Sequence, residues 1–321
     1  MAQTTEHHAD QVQAVVAHGS AATSAVVASW RRSSCFHRLD PAERNLPRRL
    51  TQAEFNEARQ RIEPLIHAAQ SNLDRLFVAV GGVGCCVLLA DHNGVPVDRR
   101  GASADDETFH NWGLWTGTLW SEDCEGTNGI GTCLAEQRAL TVHRDQHFYA
   151  RNTLLSCTSA PIYDHEGKLA AALDVSSCRA DLTEGFVHLI AVAVTDAARR
   201  IEAENFRLAF PNARFLFAPD LERGGGGLVA VDADDLVIGA TRSARLALGV
   251  TRDFLKRPVP ATDLLGGSRP LSKDLDQAER AALQQALARS SGNVSAAAQA
   301  LGISRATLHR KLRRLGLQRP H

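Results

Sequence analysis

Lysine is scarce in this sequence of 321 residues. Lys and Arg together number 36, but only four of these residues are lysine: Lys168, Lys256, Lys273 and Lys311. The P-loop of a Walker-type ATPase requires a lysine that follows glycine and precedes serine or threonine. The four lysines precede Leu, Arg, Asp and Leu. The sequence therefore excludes a Walker-type ATPase.

Long apolar runs and a secretory signal are also missing. No run reaches the ~18 apolar residues that a transmembrane helix needs. The N-terminus, MAQTTEHHADQVQ, lacks a basic region followed by an apolar core, so it predicts no signal peptide. The 7 cysteines are unevenly spaced, which favours a reducing compartment over a disulfide framework. We therefore expect a cytoplasmic protein.

Acidic residues are absent from the end of the chain, residues 292–321. The formal net charge of the whole chain is +0, so the remainder must be net acidic. Such an asymmetry indicates a nucleic-acid surface that is confined to one part of the chain. The basic residues of this stretch are Arg305, Arg310, Lys311, Arg313, Arg314 and Arg319.

The same stretch has the pattern of a helix-turn-helix. Gly302 can end one helix with a positive φ, and Ser304 can N-cap the next helix. A short first helix, a turn with glycine and a basic second helix are typical of a DNA-binding motif that enters the major groove. One apolar seam should join the two helices: Ala297, Leu301, Ile303, Leu308, Leu312 and Leu315.

The central part of the chain predicts an α+β domain with an antiparallel sheet. Apolar residues recur at three and four from Thr51 to Phe77, and Pro64 should kink or split this helical element. The apolar run 83–90 and the Asn-Gly turn after it indicate a hairpin, and residues 157–177 indicate a second one. A helix from Thr183 to about Asn205 follows, with this apolar face: Phe186, Leu189, Ile190, Val194, Ala197 and Ile201.

Composition divides the chain into segments. The four glycines 224–227 and the Pro- and Gly-rich stretch 258–270 indicate two linkers, and a short hairpin over 228–240 lies between them. We therefore expect a leader (1–50) that is loosely ordered over residues 1 to about 25, the α+β domain (51–205), a linker (206–227), the hairpin segment (228–255), a second linker (256–274) and the all-α helix-turn-helix (275–319).

Several motifs resemble one family of regulators. Residues 120–122 (WSE), 125–132 (EGTNGIGT), 147–148 (HF) and 157–162 (CTSAPI) resemble the signature of the sensory GAF domain in acetoin-operon-activator-like (AcoR-like) regulators. Residues 29–31 (SWR) resemble the leader of that family. Residues 228–249 look like the opening of a PAS domain, here truncated, and the C-terminal tail resembles a Fis-type helix-turn-helix.

The resemblance implies a transcriptional regulator, with one departure. Typical family members carry an AAA+ ATPase between the PAS domain and the helix-turn-helix, and this ATPase remodels sigma-54 polymerase. Here about twenty-five residues separate the PAS-like segment from the DNA-binding helices, and no Walker lysine is present. We therefore do not expect ATP-driven, sigma-54-dependent activation.

The match to the Fis-type motif assigns the DNA-binding residues. Ser304, Arg305 and Thr307 would lie near base edges, with His309 and Arg310 close by. Lys311, Arg313 and Arg314 would grip the phosphate backbone. With four to six phosphate contacts, the log-log salt dependence of binding should have a slope of about −4 to −5.

The resemblance also places an effector pocket in the GAF domain. Three of the 4 tryptophans lie within nine residues, in a region that approaches the ligand cavity of GAF domains. The Gly-rich segment 126–132 does not match a dinucleotide fingerprint, so we expect it to form tight turns with one edge on the pocket. The expected pocket residues are Trp112, Trp115, Trp120, Asn128, His147, Cys157 and Asp174.

Two other classes of function remain open. A GAF-based redox enzyme could use the cysteines, although no Cys-x-x-Cys motif or adjacent basic residue activates a thiol. A metal site is disfavoured because His143 and His147, which could share a helix face, have no third ligand at suitable spacing. A constitutive, Fis-like architectural DNA-binding protein is the other alternative. The main hypothesis is a non-enzymatic regulator without a cofactor.

The expected partners follow from this hypothesis. One short basic helix makes few base contacts, so a homodimer should read inverted half-sites in double-stranded DNA. Residues 276–290 and the helices that flank the GAF domain are the expected dimer surfaces. An unknown small-molecule effector and RNA polymerase complete the expected partners, and no membrane is involved.

Overall fold

The computed structural model of this chain describes residues 2–17, 24–218, 227–232, 236–250, 259–265, 279, 282–283, 286–287, 290 and 293–315. The chain divides into two compact units, 1–261 and 262–321. The predicted helix over 276–290 lies largely outside the described residues.

The first unit begins with helices and continues into a sheet. In chain order its elements as far as the last long helix are α1 (Ala2–Ala17), α2 (Ala25–Arg31), α3 (Gln52–Arg61), α4 (Glu63–Val80), β1 (Cys85–Asp91), β2 (Pro96–Arg100), α5 (Asp106–Asn111), α6 (Glu122–Glu125), α7 (Gly129–Glu136), β3 (Leu140–His143), β4 (Ser156–Tyr163), β5 (Leu169–Ser177) and α8 (Glu184–Ala209).

The five strands form one antiparallel sheet in the order β2-β1-β5-β4-β3. Every residue of β1 is buried, and its side chains alternate between two cores. Cys85, Val87 and Leu89 face the core beneath α4 and α8. Cys86 and Leu88 face the core beneath α5 and α7. A sheet covered on both faces explains the continuous apolar run in the sequence and confirms both predicted hairpins.

Capping residues and Pro64 determine where several of these helices begin. Thr51 and Glu54 form a capping box at the start of α3. Pro64 lies in the first turn of α4, where its missing N–H costs no hydrogen bond, so the predicted helical element is split at Ile62. Thr183 caps α8 by accepting a hydrogen bond from the backbone N–H of Phe186. The predicted apolar face of α8 is wrong at Leu189, which is 65% exposed.

The leader is helical and packs on the GAF-like domain. The sequence predicts loose order over residues 1 to about 25, but α1 occupies most of that stretch and α2 follows it. Val12 and Trp30 are buried against Phe148 and Tyr149, far away in the sequence. This tertiary contact supplies the order that the local pattern does not show.

A second, smaller sheet follows α8. It contains β6 (Arg214–Phe217), β7 (Leu228–Val231), β8 (Leu236–Ala240) and β9 (Val259–Pro260), all antiparallel and in this order. β7 and β8 form the predicted hairpin, and α9 (Arg242–Ala247) comes next. The segment 206–227 differs from the expected linker, because it contains the end of α8 and the whole of β6.

The second unit contains the helix-turn-helix. A short helix, α10 (Ala261–Leu264), spans the unit boundary, and α11 (Val294–Ala300) and α12 (Arg305–Arg314) follow. The predicted apolar seam is confirmed. Its core is Leu283, Ala286, Leu287, Ala297, Ala298, Leu308 and Leu312, with Val294, Leu301, Ile303 and Leu315 packed against it.

Candidate functional site

The turn between α11 and α12 has the geometry of a helix-turn-helix. Asn293 caps α11 by accepting hydrogen bonds from the backbone N–H groups of Ser295 and Ala296. Gly302 adopts a φ of 65°, which favours glycine. The Ser304 hydroxyl accepts a hydrogen bond of 3.1 Å from the backbone N–H of Thr307 and so begins α12. Both expectations for the turn are confirmed.

Helix α12 has one apolar face and one basic face. Leu308 and Leu312 are buried in the core of the second unit. The residues left exposed are Ser304, Arg305, Arg310, Arg313 and Arg314, whereas Thr307, His309 and Lys311 are half-buried. The guanidinium groups are therefore accessible to an anionic partner such as a phosphate backbone.

Glu279 contacts this basic face. Its carboxylate pairs with the Lys311 ammonium and with the Arg314 guanidinium. The hydrogen bond from Lys311 lowers the pKa of Glu279 below its usual value. The sequence reasoning missed this contact because Glu279 lies 32 residues before Lys311. Two of the predicted phosphate-binding residues thus already hold an acidic neighbour.

In the first unit, a buried polar network joins the leader to the GAF-like motifs. The Ser29 hydroxyl donates a hydrogen bond of 2.6 Å to Glu122 and lies 2.7 Å from the Thr127 hydroxyl and 3.2 Å from that of Thr132. Arg32 donates to the same carboxylate at 2.6 Å. The motifs WSE (120–122) and EGT (125–127) and the leader motif SWR (29–31) are therefore parts of one interface.

Trp30 and His147 belong to the same interface. The indole N–H of Trp30 donates a hydrogen bond of 2.9 Å to the backbone carbonyl of Gln146. His147 is fully buried, and its Nδ1 lies 3.0 Å from the Arg144 carbonyl oxygen. Burial lowers the pKa of His147 to about 4, so the ring is neutral at pH 7. The structure places His147 against α1, since His8 contacts its backbone carbonyl.

The Gly-rich segment forms the start of α7. Asn128 caps the helix by accepting a hydrogen bond of 2.8 Å from the Gly131 N–H, and it donates to the Gly126 carbonyl. A Cβ on Gly129 would lie 2.6 Å from the Cβ of Cys157, and one on Gly131 would lie 2.5 Å from the backbone N of Glu122. The glycines therefore permit close packing of α7 on the sheet.

Asp174 is a buried carboxylate beside that helix start. It accepts hydrogen bonds of 2.5 Å from Ser159 and 2.6 Å from Ser176. Burial raises its pKa to about 6, although the two hydroxyls act in the opposite direction. A Cβ on Gly129 would meet Asp174 Oδ1 at 2.7 Å. Asp174 and Cys157 therefore lie together beneath α7.

The tryptophans take different positions. Trp120 is buried, and its indole N–H donates to the Gly113 carbonyl at 2.8 Å. Trp112 packs half-buried on the core beneath α5 and α7. Trp115 is also half-buried, and the Arg99 guanidinium lies 4.1 Å from the centre of its ring. Trp112 and Trp115 are therefore the predicted pocket residues that a ligand can reach from outside.

Arg99 was missed by sequence reasoning, since nothing in the local pattern marks it. Its side chain is 10% exposed and lies 2.8 Å from a carboxylate oxygen of Asp106. Its Nε and Nη2 atoms are buried without a hydrogen-bond acceptor in the described part of the chain. The guanidinium therefore retains two donors beside Trp115.

Four of the 7 cysteines are buried and have the properties of small apolar residues. Burial raises the pKa of Cys85 to about 11 and raises the pKa values of Cys86, Cys133 and Cys157 further. These thiols therefore resist forming the reactive thiolate. His143 and His147 do not share a helix face as expected, because His143 ends β3 and His147 follows a 3-10 turn. The described residues contain no group of three or more side chains suited to holding a metal ion.

No helix in the described ranges has both the length and the apolar character that a membrane span requires.

The sequence matches two known families. Residues 64–201 match the GAF domain, and residues 274–315 match the bacterial regulatory protein, Fis family. The chain therefore combines a GAF domain with a Fis-type helix-turn-helix, as the resemblance to AcoR-like regulators predicts, and neither match includes an AAA+ domain.

Curated relatives support this assignment. The chain is 36% identical over 241 residues to the acetoin catabolism regulatory protein of Cupriavidus necator, covering 73% of this chain and 36% of the relative. It is 28% identical over 175 residues to the acetoin dehydrogenase operon transcriptional activator AcoR of Bacillus subtilis, covering 53% of this chain and 29% of AcoR. The chain thus spans about a third of the length of these relatives.

One solved structure shares the fold. The crystal structure of the E. coli DhaR(N)-DhaL complex contains a chain that superposes with a TM-score of 0.51 and 16% identity, covering 80% of this chain and 86% of that one. At this identity the likeness shows the fold alone.

Proposed function

We propose that this chain is a sequence-specific, DNA-binding transcriptional regulator whose GAF domain (about 51–205) senses a small-molecule effector. The observation that supports the output is α12, which is capped at Ser304, buries Leu308 and Leu312, and presents exposed arginines on its other face. Helices of this design enter the DNA major groove. The protein is not an enzyme in this proposal.

The DNA contacts divide by position on α12. Ser304, Arg305 and Thr307 stand at its start and approach base edges, together with His309 and Arg310. Arg313 and the Glu279-bound pair, Lys311 and Arg314, contact phosphates. This division predicts that changes in the first group alter sequence preference, whereas changes in the second group weaken binding to all sequences alike.

The protein acts as a homodimer through the GAF helices. Val78 on α4 and Leu189 and Val192 on α8 are apolar but 84%, 65% and 70% exposed. Cys85 pairs with Ser177, so the end of α4 and the start of α8 lie at the same end of the paired strands β1 and β5. A second copy can cover this apolar surface, and apolar exposure of this kind is typical of an interface.

The effector site lies on the face of the GAF sheet covered by α5 and α7. Trp112 and Trp115 form its accessible wall, and Arg99 adds two unpaired donors. Trp120, Asn128, Cys157 and Asp174 form the inner wall, whereas His147 would act from the leader interface. A small ligand that stacks on an indole and accepts hydrogen bonds matches this set of residues.

In this proposal, transcription is regulated through the occupancy of the DNA site. The chain has no Walker lysine, so ATP-driven remodelling of sigma-54 polymerase is not part of the mechanism. Binding of the effector would instead change the geometry of the dimer, or its contact with RNA polymerase in the cytoplasm.

Footprinting with the full chain on genomic DNA, with and without a cell metabolite extract, tests the proposal. We expect protected palindromic sites whose occupancy changes with the extract and changes less in the Trp115→Ala variant. Protection that depends neither on the DNA sequence nor on the extract would indicate an architectural DNA-binding protein. Consumption of an extract component with turnover would indicate an enzyme.

A further inference from the structure

A cleft lies on the opposite side of the GAF sheet from the proposed effector site. It has a volume of about 680 Å³ and is lined by α4, α8 and residues around α9. None of the seven predicted effector residues lines it. A cavity of a few hundred to about a thousand cubic ångströms is suited to a small ligand. The cleft therefore needs an explanation separate from the effector site.

Arginines dominate the charge of this cleft. Arg200 pairs with Asp196 at 2.5 Å, and Arg207 pairs with Glu204 at 3.6 Å. Arg75 and Arg199 also line the cleft, and within the described ranges neither lies in salt-bridge contact with a carboxylate, although the charge of Arg199 acts on Glu202. These two guanidinium groups are therefore available to an anion.

The remaining acid of the cleft is Glu202. Glu202 accepts a hydrogen bond of 2.9 Å from the backbone N–H of Tyr163, which directs its carboxylate toward the sheet. Burial raises the pKa of Glu202 to about 7, although the charge of Arg199 acts in the opposite direction. The lining holds four guanidinium groups against three carboxyl groups, so the cleft is net positive near pH 7.

Uncharged polar groups complete the lining. Asn72 on α4 is buried, and it lines the cleft. On the other side the Thr241 hydroxyl binds the backbone N–H of Leu228 at 3.0 Å and lies 3.1 Å from the Ser243 hydroxyl. The Asn72 amide and the Ser243 hydroxyl can donate hydrogen bonds to oxygen atoms of a ligand.

We propose that this cleft binds a small multivalent anion, either a di- or tricarboxylate or a phosphate ester, through Arg75 and Arg199. Guanidinium groups bind carboxylates and phosphates by paired, charge-assisted hydrogen bonds. Helices α4 and α8 form one wall of the cleft, and Thr241 and Ser243 form the other. A bound anion therefore contacts both the GAF helices and the residues that follow the second sheet. This proposal does not depend on the proposed DNA binding, and its test uses no DNA.

Calorimetric titration of the full chain, without DNA and at constant ionic strength, tests the site. Citrate and pyrophosphate are the two probes, and they distinguish a carboxylate ligand from a phosphate ligand. We expect one of them to bind with one site per chain and to bind at least about tenfold more weakly to the Arg75→Gln, Arg199→Gln double variant. Arg44→Gln is the matched control, since Arg44 is exposed and lies outside the cleft.

The basic tail is the competing anion site. Arg313→Gln should leave the affinity for the probe unchanged if the anion binds in the cleft. Loss of binding in Arg313→Gln with retention in the double variant would overturn the proposal, and so would the absence of saturable binding by both probes. Thermal unfolding of each variant verifies that it is folded, which is expected because Arg75 and Arg199 are exposed.

Discussion

Ser29 connects the leader to the GAF domain through a single hydroxyl. That hydroxyl lies within hydrogen-bond distance of Glu122, Thr127 and Thr132, and it is fully buried. We predict that Ser29→Ala lowers the free energy of unfolding by about 1–3 kcal/mol, because it leaves a buried carboxylate short of a donor. Urea unfolding measures this change. Ser103→Ala, at an exposed position, should change it by less than about 0.5 kcal/mol, and an equal effect of both variants would contradict the account.

Asp174 should make the stability depend on pH. Its folded pKa of about 6 lies above the ordinary aspartate value of 3.8, so between these pH values the folded protein binds more protons than the unfolded chain. Its contribution to the free energy of unfolding therefore falls as pH rises through this window and is constant above it. We predict that Asp174→Asn removes this fall. Unfolding experiments from pH 4 to 7 measure it, with Asp123→Asn as the exposed control, and parallel curves for wild type and Asp174→Asn would refute the prediction.

Local residue chemistry was predictable, and distant partners were not. The positive φ of Gly302 and the cap at Ser304 depend on neighbours a few residues away, so the sequence pattern contains them. The contact from Ser29 to Glu122 spans 93 residues, and only the folded chain brings them together. For the same reason the place of His147 at the leader interface and the stacking of Arg99 on Trp115 were not foreseen.

At the scale of elements, α12 is restrained by an acid that lies outside it. Glu279 pairs with Lys311 and Arg314, which would both contact phosphates in the proposed complex. We predict that Glu279→Gln strengthens binding to DNA of any sequence and makes the log-log salt slope more negative by about one, because a released cation can neutralise one more phosphate. Fluorescence anisotropy with a labelled duplex at several KCl concentrations measures both quantities.

The control variant for this prediction removes one negative charge from the first unit instead of the second. Glu107→Gln, at an exposed position in α5, should leave the slope unchanged. Identical slopes for wild type and Glu279→Gln would show that Glu279 does not compete with phosphates.

Elements with strong local signals were predicted, and those that depend on partners were missed. The hairpins of the GAF sheet carry turn signals between apolar runs, and Pro64 marks a helix start. β6 has four residues and β9 has two, so neither is long enough to produce a pattern, and both depend on pairing with neighbouring strands. Helix α1 lacks a clear apolar period, yet Val12 packs on the GAF domain.

At the scale of the whole molecule, the apolar surface at Val78, Leu189 and Val192 should decide the oligomeric state. We predict that the double variant Leu189→Glu, Val192→Glu is monomeric, because it places two charges in the proposed interface. The fold should persist, since both side chains are exposed. Light scattering on the purified full chain measures the mass, with Leu154→Glu, also at an exposed apolar position, as the control. A wild-type chain that is monomeric even on DNA would refute the dimer.

The central claim is that α12 reads DNA for this chain, and operator affinity measures it most directly. Anisotropy titrations on a duplex recovered by footprinting should give a log-log salt slope of about −4 to −5 for the wild type. Arg310→Ala should weaken binding to this duplex by about 1–3 kcal/mol and change the free energy of unfolding by less than about 0.5 kcal/mol, because the side chain is exposed. Unchanged operator affinity in Arg310→Ala, or its loss together with unfolding, would contradict the account.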